Sequence, residues 1–230
     1  QHQSTTMAPL STLVVVASVV AGAGAARVPK TGCAETEVPF AASSRKKNTT
    51  TATYECVSFD AAVANATAFL TANMPPFDEP VTLFGLPGGV DGLDDGVASM
   101  GVNASVAAQQ KYPWAADVPQ GIFNEYVAAY AMTNEPRTYW RGFFAPLVDA
   151  VVANLTTQDE VIAALNGYGP DPSTSIFATL GITFKSSMTP LIFDPLSTVA
   201  FGYASCTGIS AVFVAALRAA GVPARGAGTP

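Results

Sequence analysis

The chain closes on ASCTGISAVFVAALRAAGVPARGAGTP, Ala204 to Pro230, and this stretch narrows the possible folds at once. From Ser205 or Cys206 to Ala220 it reads as a helix that is apolar on nearly every side. Ile209, Val212, Phe213, Ala216, Leu217 and Ala220 form one stripe, and Gly208, Ala211, Ala215 and Ala219 form the other, interrupted only by Ser210 and Arg218. A helix apolar all round has no face to offer water and must be buried. Gly221 supplies a left-handed stop, and Pro223 cannot continue the ladder. The remaining chain therefore has to build a socket around this helix. Arg218 reads as an ion-pairing surface residue, and Cys206 falls at the helix N-terminus.

There is enough chain for such a socket. Of the 230 residues, 49% are hydrophobic and 12% charged, which excludes a disordered polymer and leaves a substantial core. The net charge of −6 and a single short basic run, Arg45-Lys46-Lys47, argue against nucleic-acid binding. No metal site is expected, because the chain has one histidine and no cysteine cluster. No cofactor fingerprint is present either.

The beginning reads as an address. Met7 opens MAPLSTLVVVASVVAGAGAA, an apolar core followed by Ala-Gly-Ala, which is the pattern of a secretory signal cut after Ala23, Ala25 or Ala26. Gln1 to Thr6 reads as lying upstream of the true start. The expectation is a secreted, extracellular protein with no stable membrane insertion once the signal is removed. Export agrees with four N-x-S/T sequons, at Asn48, Asn65, Asn103 and Asn154, which are candidate glycosylation sites. It also agrees with the cysteines. In an oxidising compartment Cys33 and Cys56 can pair, contributing about 3 kcal/mol by closing their loop, and Cys206 is left single.

Composition divides the chain into four parts: 1–26 with the signal, a Thr-rich extended segment at 27–57, a helical lead-in at 58–157, and 158–230 with the last helix. Within the lead-in, Asp60 is expected to cap a helix running to Asn73, and Glu79 to Gly96 reads as loop. Further helices are expected over 94–110 and over 120–132. Trp140, Phe143, Phe144, Leu147, Val148, Val151, Val152 and Leu155 recur at helical steps, with Pro146 expected to kink or split that helix. QDEVIAALNGYG predicts another short helix, and GITFKSS a short extended piece.

Cys206 has a position with chemical consequences. The unpaired N–H groups and positive dipole end of a helix N-terminus favour the thiolate and can hold the oxyanion of an acyl intermediate. A lone cysteine beside an apolar helix is, on the residues alone, more often a packing residue than a nucleophile.

A resemblance weighs on that choice. GYASCTGIS (Gly202 to Ser210), ALRAAGVPAR (Ala216 to Arg225) and the closing GTP resemble the transglutaminase-like superfamily. So do NMPPFD, YPWAADVP, IFNEYVAAY, NEPRTYWR and FKSSMTPL upstream of them, in order, so that the likeness spans roughly Leu70 to Pro230. It implies an α+β protein in which a helical lead-in precedes a papain-like core, with Cys206 as the nucleophile of a Cys-His-Asp triad. The implied activity is acyl transfer on amide bonds of a protein or peptide substrate, ending in hydrolysis or cross-linking. The family's His and Asp follow on strands after the GTP segment. This chain ends at Pro230 and its single histidine is His2. The resemblance therefore implies that both partners, and the sheet that would cover the last helix, lie beyond Pro230. The 230 residues alone are then expected to be inactive and poorly stable. The competing expectation is a non-catalytic extracellular binding or matrix module that keeps the fold.

Overall fold

In the computed structural model, which describes residues 32–42, 53–84, 96–169, 171–188 and 194–227, the Thr-rich segment is a β-hairpin. Strands β1 (Glu37–Ala42) and β2 (Thr53–Ser58) run antiparallel, with Val38 opposite Val57 and Pro39 opposite Cys56. Cys33 and Cys56 are joined by a disulfide, their Cα atoms 5.4 Å apart. EVPFAA does not announce a strand because both of its faces are covered. Val38 is buried in one direction and Pro39 and Ala41 in the other, so the usual apolar–polar alternation is missing.

Helix α1 (Phe59–Ala72) begins two residues earlier than expected. Ser58 is its cap, accepting from Ala61 N at 3.2 Å, while Asp60 sits inside the first turn. There its negative charge still favours the helix through the dipole. A single turn, α2 (Pro80–Leu83), opens on Pro80 within the stretch expected to be loop. Next come α3 (Val97–Lys111), α4 (Pro113–Ala116) and α5 (Gln120–Tyr126). α5 stops short of Met132 for a tertiary reason. The Arg141 guanidinium donates to the carbonyls of Val127 and Ala129, and that of Arg218 to Ala129 at 3.2 Å and Ala131 at 2.6 Å. Of the carbonyls that a helix running to Met132 would use, that of Val127 is thus taken by Arg141, and that of Tyr126 accepts from Ala224 N at 3.1 Å.

Helix α6 (Trp140–Val152) runs unbroken through Pro146. Pro146 is exposed, as is Gly142, whose carbonyl the missing N–H would have met, so water can replace that bond. Trp140, Phe144, Val148 and Val152 are its buried stripe; Phe143 is 38% exposed and stands edge-on to Phe144. A reciprocal capping box between Thr157 and Glu160 starts α7 (Gln158–Asn166), and Gly167 ends it at φ 82°. The chain continues through α8 (Ile176–Leu180), β3 (Thr183–Phe184), α9 (Pro195–Phe201) and β4 (Tyr203–Ala204) into α10 (Cys206–Ala219). β4 lies parallel to β3. The result is a mainly helical α+β chain with two small sheets.

Two apolar cores form. In one, β1, α1, α3 and α5 meet around Val38, Leu70, Val102, Val106 and Phe123. The other gathers α6, α7 and α10 around Trp140, Phe144, Leu165, Val212 and Leu217, and Trp114 and Ala108 join it from α4 and α3. Every residue of α10 from Ala211 to Ala219 is buried. Its cover comes from α6, α9, α7 and α3, so helices of this chain cover α10 where the resemblance implied a sheet. Arg218 is 3% exposed and is not the surface residue expected. Its Nε donates to Ala224 O at 2.8 Å, which folds the tail back after Gly221. Gly221 has φ 72°, and a Cβ there would come within 2.6 Å of the Ala115 side chain.

Candidate functional site

Cys206 is the first residue of α10, and its thiol is free and exposed. The chain reaches it through a tightly defined approach. Asp194 caps α9 by accepting from Ser197 N at 3.0 Å, and Gly202 turns the chain with φ 68°. β4 then pairs with β3: Thr183 N donates to Gly202 O at 2.9 Å and Lys185 N to Ala204 O at 2.8 Å. The Lys185 ammonium lies 3.6 Å from the centre of the Tyr203 ring. Ala204, 0% exposed, anchors the strand in the interior, so Cys206 emerges from a fixed point.

Ser205 precedes the thiol in the extended geometry of a cap residue, with φ −80° and ψ −174°. Its hydroxyl is nevertheless buried without a partner and does not bond to the first turn. The leading N–H groups of α10 are therefore left uncapped by any side chain. Such groups attract negative charge. Ser210 Oγ donates to Cys206 O at 2.7 Å and ties the first turn to the second.

The other expected site residues lie on other elements. Cys33 and Cys56 bond to each other in the N-terminal hairpin. Asn65 on α1, Asn103 on α3 and Asn154 just after α6 are exposed. Asn65 Oδ1 accepts from Asn124 Nδ2 at 2.9 Å, and Asn103 Nδ2 donates to Ser99 O at 3.0 Å. Asn48 and His2 fall outside the described residues. Among the described residues the one grouping of metal-ligating side chains is Cys33, Glu37 and Cys56, and its two sulfurs are already bonded together. No helix among them is long and apolar enough to cross a membrane.

Two polar assemblies escaped the sequence reading. Arg141 and Arg218 are both buried and share Ala129 O as an acceptor. Burial, reinforced by Arg218, pushes the Arg141 guanidinium well down; burial takes Arg218 to about 10, and the nearby Glu135 carboxylate pulls it back up. Glu135 itself is buried and accepts from Met132 N at 2.8 Å and Thr133 N at 2.7 Å. Arg137 links it to Asp78, at 3.6 Å and 3.2 Å respectively. The one hint of this was the density of charge in NEPRTYWR. The second assembly is a cleft of about 260 Å³ bounded by Lys111, Tyr112, Trp114, Asp149 and Leu155. Lys111 Nζ meets Asp149 at 2.6 Å, and the Tyr112 hydroxyl donates to the same carboxylate. None of its lining residues belongs to the approach to Cys206. No family model, curated protein or solved structure matches this chain.

Proposed function

We propose that Cys206 is the nucleophile of a secreted, transglutaminase-like acyl-transfer enzyme acting on amide bonds. One observation carries the reading: the single unpaired thiol is exposed at the first residue of an interior helix whose leading N–H groups no side chain caps. Burial of α10 on all sides fixes the sulfur's position, and a fixed nucleophile is what acyl transfer needs. In the reaction, Sγ adds to a carboxamide carbon as its proton passes to the imidazole that the resemblance implies. The oxyanion that forms is held by N–H groups of the first turn. Collapse breaks the C–N bond, the imidazole returns the proton to the departing amine, and a thioester remains. Water or a second amine then breaks the C–S bond and frees the thiol.

The resemblance of GYASCTGIS and its flanking segments supplies the papain-like fold and the Cys-His-Asp triad of this proposal. The Cys33–Cys56 disulfide supports an oxidising, extracellular setting. The test is made on full-length protein. Iodoacetamide should add one equivalent at Cys206 under native conditions near pH 6, and Cys206→Ala should remove amide turnover. Labelling that needs denaturant, or turnover that survives the substitution, overturns the reading; no turnover with or without the thiol leaves the non-catalytic matrix module in its place.

A further inference from the structure

β3 has an open outer edge next to the approach to Cys206. In the parallel pair, Thr183 and Lys185 turn their N–H groups inward, onto Gly202 O and Ala204 O. Alternation along a strand sends the N–H and C=O of Phe184 the opposite way, off the sheet, where no partner meets them among the described residues. The N–H of Ile182, the other outward group, is already taken by Phe177 O at 2.9 Å. The free edge is thus one residue long and centred on Phe184.

Exposed aromatic rings and one lysine lie close to it along the two strands. Phe184 is 48% exposed and Phe201 58%, and the Phe201 and Tyr203 rings are 6.1 Å apart. Between Pro172 and Leu217 the only charged residues are Lys185 and Asp194, and Asp194 is buried as the cap of α9. An unpaired strand edge is a template for another extended backbone, which can pair with the outward N–H and C=O of one residue together. Lys185 favours an acidic neighbour in that chain. Self-pairing with a second copy would gather two Lys185 ammonium groups in one small apolar patch, which like charge disfavours. β3 and β4 end level with each other, Phe184 beside Ala204, and Cys206 follows two residues on. A strand added at β3 would therefore run about 10 Å from β4, two strand spacings, on the side of β3 away from it.

We propose that the outer edge of β3 docks an extended apolar segment of a protein substrate, with an acidic residue set against Lys185, and so holds that substrate against the strand pair that leads to Cys206. The purpose assigned to the docking rests on the acyl-transfer reading; the docking itself does not need the chemistry. It is tested on the full chain carrying Cys206→Ala, with acetyl-Thr-Val-Tyr-Val-Glu-Val-Thr-amide as the probe. Two control peptides accompany it, one N-methylated at its central residues and one with Lys in place of Glu. The expected result is binding that slows hydrogen exchange of the Phe184 amide about tenfold, and that weakens about tenfold on N-methylation as backbone hydrogen bonds are lost. Lys185→Glu should reverse the preference between the Glu and Lys peptides. No binding, equal binding of the N-methylated peptide, or a Phe184 amide indifferent to the probe overturns the proposal. If the probe docks as described but Cys206 proves unreactive, the catalytic reading falls and the docking stands. If Cys206 turns over amides while the Phe184 amide is unaffected, the reverse holds.

Discussion

Arg218 is the residue on which the C-terminal half turns. Its guanidinium satisfies the carbonyls of Ala129, Ala131 and Ala224 at once, from two separate segments of the chain. Removing it leaves the buried Ala224 carbonyl and the part-buried Ala131 carbonyl unpaired, and each costs about 1–3 kcal/mol. Arg218→Met is expected to lower unfolding free energy in urea by about 3 kcal/mol, and Arg218→Lys to rescue little, because an ammonium lacks the planar fork. A loss below about 1 kcal/mol would mean that water replaces the guanidinium. Asp149 makes a pH-dependent contribution. Burial pushes its carboxyl up, but hydrogen bonds from Lys111 and Tyr112 outweigh this and hold it below the usual range. A carboxyl depressed in the folded state stabilises above its unfolded value and loses that contribution as pH falls through the folded one. The melting temperature should therefore decline as pH drops below about 4, and Asp149→Asn should flatten part of that decline.

At the level of elements, most boundaries follow from local chemistry that is visible in the letters. Thr157 and Glu160 announce α7, Gly221 and Pro223 end α10, and the aromatic stripe of α6 has helical spacing. α6 departs from expectation because the cost of Pro146 depends on where the ring points. On an exposed face it loses one hydrogen bond, which water partly restores, so the helix continues. Pro146→Ala should restore the bond to the Gly142 carbonyl and raise stability by about 1–2 kcal/mol, read as a higher melting temperature with unchanged helical circular dichroism amplitude. A neutral or destabilising result would show that the packing of α6 requires the proline. β1 was illegible for the opposite reason. Covered on both faces, it carries no alternation to read.

Across the whole molecule, α3 contributes to both cores, and Arg141 and Arg218 fasten the irregular segment 127–139. The hairpin at the N-terminus is held to this body through Gln109 Nε2, which donates to Pro39 O at 3.3 Å, and Gln110 Nε2, which donates to Glu35 O at 2.8 Å, while the disulfide ties the hairpin to itself. Replacing Cys33 and Cys56 with Ser should cost about 3 kcal/mol and speed hydrogen exchange in β1 and β2 before it reaches α10. Uniform acceleration across all elements would show instead that hairpin and helices unfold as one unit.

The sequence by itself determined that an all-round apolar helix lies inside, that glycine, threonine and proline set the helix ends, and that Cys206 stands at the N-terminus of that helix. Those properties belong to neighbours within a turn or two. The tertiary structure alone decided what covers α10, why α5 stops at Tyr126, and that Arg141, Arg218 and Glu135 are interior. A buried charge is acceptable only where carbonyls from distant segments converge on it, and no local pattern of letters records that convergence.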